Sequence, residues 1–125
     1  MPKRILVIED NNDIRESVSR VLGAIGYTVI MARDGLEGLQ IAQTEHPDLV
    51  LTDLMLPRLS GYEICSMLKH DARYRQIPVL IWSATKMENE DAELAKECGA
   101  DGYLLKTLTI NEIVQAIEAA LLKHP

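Results

Sequence analysis

Apolar residues along this chain gather into five short runs, Ile5 to Ile8, Thr28 to Ala32, Leu49 to Thr52, Pro78 to Trp82 and Tyr103 to Leu105. Between the runs they recur every three or four positions instead. Near-continuous apolar runs of four or five residues predict strands covered on both faces, and the longer period predicts helices that do the covering. In the first helical stretch Ile14, Val18, Leu22 and Ile25 mark one face, and Gly26 stands where a C-terminal cap belongs. Three further helix starts pair a capping side chain with a Glu three residues on: Asp34 with Glu37, Ser60 with Glu63, and Thr109 with Glu112. The last helix carries the stripe Ile110, Ile113, Val114, Ile117, Ala120 and Leu121. A fourth helix, between Met87 and Cys98, has only Leu94, Ala95 and Cys98 as apolar anchors among Glu88, Glu90, Asp91, Glu93 and Glu97, so it is expected to be the most weakly held and the most able to move.

Alternating strands and helices of these lengths define an α/β chain with a parallel sheet wound by right-handed crossovers. The expected architecture is a three-layer, doubly wound (βα)5 fold of flavodoxin-like type, its five-stranded parallel sheet in the order 2-1-3-4-5. The length of 125 residues suits one domain and one core, with no separate output domain. Apolar residues make up 47% and charged residues 26%, which is ordinary for a globular protein. The net charge of -6, without a run of Lys or Arg, disfavours nucleic acid or an anionic membrane as a partner and favours a cation or a basic protein patch. No apolar stretch approaches the roughly 20 residues needed to span a bilayer, so a cytoplasmic location is expected. Cys65 and Cys98 lie far apart in sequence, without a metal-binding spacing, and read as two buried thiols. His46, His70 and His124 sit in polar or terminal contexts and read as solvated.

Chemistry concentrates at the ends of the strands. Glu9 and Asp10 follow the first, Asp53 ends the third, Ser83 with small Ala84 follows the fourth, and Lys106 follows the fifth. In the order 2-1-3-4-5 the first and third strands are neighbours at the point where the winding reverses, which brings Asp10 beside Asp53. Three carboxylates so close repel one another unless a cation neutralises them. An all-oxygen donor set without His or Cys points to Mg²⁺, which takes one or two carboxylates, waters and a phosphoryl oxygen. Lys106 and Ser83 offer a point charge and a hydroxyl suited to phosphoryl oxygens, and Asp53 can accept the phosphoryl group as a carboxylate nucleophile.

The motifs IED at residues 8–10, DLMLPRLSG at 53–61, WSA at 82–84 and GADGYLLK at 99–106, together and in this order, resemble the CheY-like receiver domain of response regulators in two-component signal transduction. The likeness covers nearly the whole chain. It implies that Asp53 is the phosphoacceptor and that Asp10, Asp53 and the backbone carbonyl of Met55 ligate Mg²⁺, with Glu9 helping through the metal's hydration. It implies that Lys106 pairs with the acyl phosphate, that Ser83 is the switch hydroxyl, and that Tyr103 is the aromatic that turns inward after it. A histidine kinase or phosphotransfer domain would donate the phosphoryl group. A downstream protein target would then be engaged through the fourth helix, fifth strand and fifth helix. Such a domain is a signalling switch that catalyses its own phosphotransfer and dephosphorylation, rather than an enzyme acting on an outside substrate.

Two departures from the family pattern stand out. Thr107 follows the lysine where receivers usually carry a cis proline; a cis bond before a non-proline residue costs about 3–4 kcal/mol, so a trans Lys106–Thr107 bond is expected. Glu9 replaces the commoner Asp, adding a methylene that the metal's water shell can absorb. The last helix also lacks the Arg residues through which many receivers dimerise, and a monomer is expected. Other functions fit less well. A phosphate-ester hydrolase on this fold would need a DxDx[TV] signature after the first strand and a capping insertion, and a flavin module would need a hydroxyl- and glycine-rich loop where Glu9 and Asp10 stand. A receiver-like module that is never phosphorylated would not need Asp10, Asp53 and Lys106 together.

Overall fold

The computed structural model describes residues 2–83, 93 and 96–123. Five strands form one parallel sheet: β1 (Arg4–Ile8), β2 (Thr28–Ala32), β3 (Leu49–Asp53), β4 (Val79–Ser83) and β5 (Gly102–Leu105), in the order β2-β1-β3-β4-β5. Three helices, α1 (Asn12–Ile25), α2 (Gly35–Glu45) and α3 (Gly61–Lys69), and a C-terminal helix (Ile110–Lys123) cover it. This is the doubly wound order expected from the sequence, with strand ends shifted by a residue at most. Most of the expected fourth helix, with Leu94 and Ala95, lies outside the described residues; residues 96–98 are helical and Cys98 is buried. Ala84 and His124 lie outside them too.

Strand alternation divides the core in two. Leu6, Ile8, Val50, Val79 and Ile81 pack with Leu39 and Ala42 of α2 and Ile64, Cys65 and Leu68 of α3. Ile5, Val7, Leu49, Leu51, Leu80, Trp82 and Leu104 face the opposite way, onto Val18 and Leu22 of α1 and Ile113, Ile117, Ala120 and Leu121 of the C-terminal helix. Each Val, Leu and Ile among them contributes about 1.5–3 kcal/mol by leaving water, so both layers hold the sheet firmly. Two members of the expected apolar stripes are exposed instead: Ile25 at the end of α1 and Ile110 at the start of the C-terminal helix. Both stand where a helix runs past the edge of the sheet, so periodicity continued beyond the surface available to bury it.

The caps form as the sequence indicates. Asp34 accepts from the Glu37 N–H at 2.8 Å, Ser60 from Glu63 at 3.2 Å, and Thr109 from Glu112 at 3.2 Å, while Glu112 Oε1 accepts from the Thr109 N–H at 3.1 Å in return. Asn11 caps α1, its Oδ1 accepting from the Ile14 N–H at 3.0 Å. Gly26 closes α1 at φ 121°, a conformation that side chains with a Cβ resist. The caps fix where each helix begins, and therefore where each strand-end loop must return to the sheet.

Candidate functional site

The carboxyl ends of β1, β3, β4 and β5 meet along one edge. Register pairs Ile8 with Thr52 and Asp53 with Trp82, so Glu9 follows β1 just as Asp53 closes the adjoining strand. One carboxylate oxygen from each of Glu9, Asp10 and Asp53 lies within 4.8 Å of the other two. Glu9 is 1% exposed and Asp53 6%, whereas Asp10 faces solvent. Such a cluster has the size and the hard oxygen donors that suit a divalent cation keeping part of its water.

Lys106 compensates the cluster from across the sheet. Its backbone N–H donates to the Ser83 carbonyl at 2.7 Å, which holds the end of β5 against β4. From there the side chain passes over the Trp82 ring, with Nζ 4.9 Å from the centroid, and reaches Glu9 Oε1 at 2.6 Å and Asp53 Oδ2 at 3.2 Å. Glu9 Oε2 accepts from the Asn11 N–H at 3.2 Å. Burial pushes the Glu9 carboxyl above its ordinary pKa, and the Asp53 charge adds to this; the hydrogen bonds from Lys106 and Asn11 only partly offset it. Burial also works against the charged form of Lys106, but its contacts with Glu9 and Asp53 outweigh that and raise its pKa. The lysine is thus held firmly charged beside two acids.

The loop that follows Asp53 is built from backbone. Leu54 donates to the Trp82 carbonyl at 3.0 Å, Gly61 donates to the Leu54 carbonyl at 2.9 Å, and the Met55 N–H approaches Asp53 Oδ1 at 3.4 Å. A Cβ on Gly61 would stand 2.5 Å from the Asp53 carbonyl oxygen, so only glycine lets α3 start this close to β3. The Leu59 N–H donates to the Pro57 carbonyl at 2.9 Å, a tight turn that sets Arg58 at φ 76°. The Met55 side chain is 75% exposed above Asp53.

Ser83 is buried at the end of β4, one residue beyond the register partner of Asp53. Tyr103, paired in register with Ile81, is half-buried against the core on the α2 and α3 side. Its hydroxyl is buried and has no hydrogen-bond partner among the described residues. An unpaired buried hydroxyl is costly and offsets part of what the ring gains by packing there. The Lys106–Thr107 bond is trans, as expected.

Sequence reading missed Arg15. It occupies the buried face of α1 with Val18 and Leu22, and its guanidinium donates to the Glu9 carbonyl at 2.9 Å and to Asn12 Oδ1 at 2.6 Å. The signal was available: position 15 lies three and seven residues before Val18 and Leu22, on the face that helical spacing assigns to the core. The Lys106–Glu9 pair was also missed, because the lysine was assigned only to an incoming phosphoryl group.

Comparison with known proteins matches this arrangement. The family model of the response regulator receiver domain matches residues 5–118. The polar-differentiation response regulators DivK of Brucella ovis and Brucella abortus are each 35% identical over 121 residues, covering 97% of this chain and 98% of theirs. A CheY-like receiver domain protein from Methanospirillum hungatei superposes with a TM-score of 0.92 at 25% identity, covering 99% of this chain and 97% of that one. The chemotaxis protein CheY4 of Vibrio cholerae gives 0.89 at 27%, with 96% and 99% covered. The chain belongs to the response-regulator receiver family of two-component signalling, whose members are signalling switches and bind Mg²⁺ in general. No helix among the described residues is long and apolar enough to cross a membrane.

Proposed function

We propose that this chain is a phosphorylation-activated switch that takes a phosphoryl group onto Asp53. The observation that supports this best is the reach of Lys106 across two strands to bridge Asp53 and Glu9 within a cluster of three carboxylates. An Asp53 carboxylate oxygen beside the Lys106 ammonium carries the lone pair that attack on phosphorus requires. An Asp53 carboxylate oxygen bonds to phosphorus as the bond from phosphorus to the donor breaks, the donor being a phosphohistidine on a histidine kinase or phosphotransfer protein. Asp10, Asp53, the Met55 carbonyl and Glu9 would hold Mg²⁺, which supplies charge neutralisation for the phosphoryl oxygens. Lys106, already at the edge of the site, keeps one positive charge against the group that arrives.

Phosphorylation adds one to two negative charges and three strong acceptor oxygens, on the order given for any phosphorylated side chain. Ser83 stands at the adjoining strand end to donate to one of those oxygens, and Tyr103, whose hydroxyl gains nothing where it is, follows along the same edge. The altered surface would be the one formed by β5, the C-terminal helix and the expected fourth helix, and a downstream protein target would bind there. The test is intact mass after incubation with Mg²⁺ and a small acyl-phosphate donor. Wild type is expected to gain one phosphoryl group and Asp53→Asn none; a wild type that gains nothing, or a variant that gains as much, overturns the reading.

A further inference from the structure

We propose that Cys65 and Cys98 are a peroxide-oxidisable dithiol that closes to an intramolecular disulfide. Thirty-three residues apart in sequence, they meet in space: the Cys65 thiol donates to the Cys98 carbonyl at 3.4 Å, and each thiol shifts the other's pKa. Both are free thiols, and a sulfur that touches the other cysteine's backbone is near enough for the about 2 Å bond of a disulfide to be tested directly.

The environment separates their roles. Cys65 is wholly enclosed between α3 and the sheet, and donating its S–H while buried pushes its pKa far up. Cys98 accepts from Cys65, and that contact outweighs its own burial and pulls it down to about 7, with the nearby His70 assisting. Cys98 also lines an open cleft of about 400 Å³ with Tyr62, Glu63, Ser66, His70 and Glu97. A low-lying thiolate at the wall of a cleft is the attackable member; an enclosed thiol in contact with it is the resolving one. Glu63 and Glu97 at the cleft favour a small neutral oxidant over an anionic one, and hydrogen peroxide fits that description.

The chemistry balances. The Cys98 thiolate attacks one peroxide oxygen, forming S–O as O–O breaks, and the departing hydroxide takes a proton to leave as water. The Cys65 sulfur then attacks the sulfenic sulfur of Cys98, forming S–S as S–O breaks, and its proton leaves with the second water. Two thiols lose two electrons and peroxide is reduced to two waters. The bond ties α3, which carries the loop after Asp53 at its start, to the residues leading into β5, which carries Lys106 at its end. It needs no phosphorylation of Asp53 and goes beyond that reading.

The test treats the whole chain with hydrogen peroxide, quenches it, and unfolds it in an alkylating reagent. Wild type is expected to lose both alkylatable thiols, to remain a monomer on a non-reducing gel, to yield a Cys65–Cys98 linked peptide, and to recover both thiols after reduction. In Cys65→Ala a sulfenic acid at Cys98 is expected to be trapped by dimedone, and in Cys98→Ala none. Thiols that remain alkylatable in wild type, or a bond formed between chains, would overturn the proposal. The wild-type arm decides the matter even if a variant fails to fold.

Discussion

Lys106 joins Glu9 and Asp53 in a pocket where none of the three has much water to fall back on. Its raised pKa means that its charge, and the stability that charge lends, are fully present below the ordinary value of 10.5 and are lost only as pH rises through the higher folded value. Glu9 runs the other way. Its folded pKa lies above the ordinary 4.5, so the stability from holding its proton is present below 4.5 and is lost as pH rises through the raised value. Removing the lysine charge leaves Glu9 buried without the partner that offsets its burial. Lys106→Met is expected to lower the unfolding free energy by about 3 kcal/mol near neutrality, the scale for breaking a buried pair, and by less as pH falls to 4.5, where Glu9 holds its proton. Urea titrations at the two pH values check this, and an equal loss at both would show that Glu9 is not the group left stranded. Such a pairing was not legible in the sequence. Glu9 and Lys106 stand 97 residues apart, and only the register of β1, β3, β4 and β5 brings them to one edge.

The loop from β3 to α3 is an element whose position is fixed by what it lacks. With no Cβ at Gly61, the first turn of α3 sits against the Asp53 carbonyl and holds the loop close to Asp53. Gly61→Ala is expected to cost about 1–3 kcal/mol of stability, because backbone rather than a flexible side chain must move, and to slow phosphorylation of Asp53. Urea unfolding and the rate of adduct formation by mass would show both effects; an unchanged rate would mean that the loop tolerates the shift. The elements themselves were largely readable beforehand. Runs such as Leu49–Val50–Leu51 are apolar on both faces because both faces are covered, and the Asp34, Ser60 and Thr109 caps mark their helices by hydrogen bonds local in sequence. What depends on the extent of the sheet was not readable: Ile25 and Ile110 continue a helical stripe past the surface it packs on, whereas Arg15 enters the core side because a carbonyl waits there.

Across the molecule, charge is distributed unevenly. From Asn111 to the end of the chain Lys123 is the only fixed positive charge, set against Glu112 and Glu118. A helix so short of cations leaves an acid–base ladder between two copies little to pair with, so dimerisation through it is expected to be weak. The mass measured by sedimentation is expected to stay that of a monomer over a wide concentration range, before and after phosphorylation; a dimer that appears on phosphorylation would refute this. The order of the strands, and with it the meeting of Asp10 and Asp53, could be anticipated because doubly wound sheets have few ways to connect. The contact of Cys65 with Cys98 could not, since nothing in their spacing records which helices lie side by side. The reach of Lys106 carries one more consequence. A cation that seeks Glu9 or Asp53 meets an ammonium already seated there, so the resting protein holds its own tethered antagonist. Linkage is reciprocal, so a partner that loosens the ammonium and raises cation affinity would itself bind more tightly, by the same factor, once the cation is in place. Because β5 anchors the ammonium and packs against the C-terminal helix, a protein that shifted β5 from that far edge would change how readily the acids take up a cation without ever touching them.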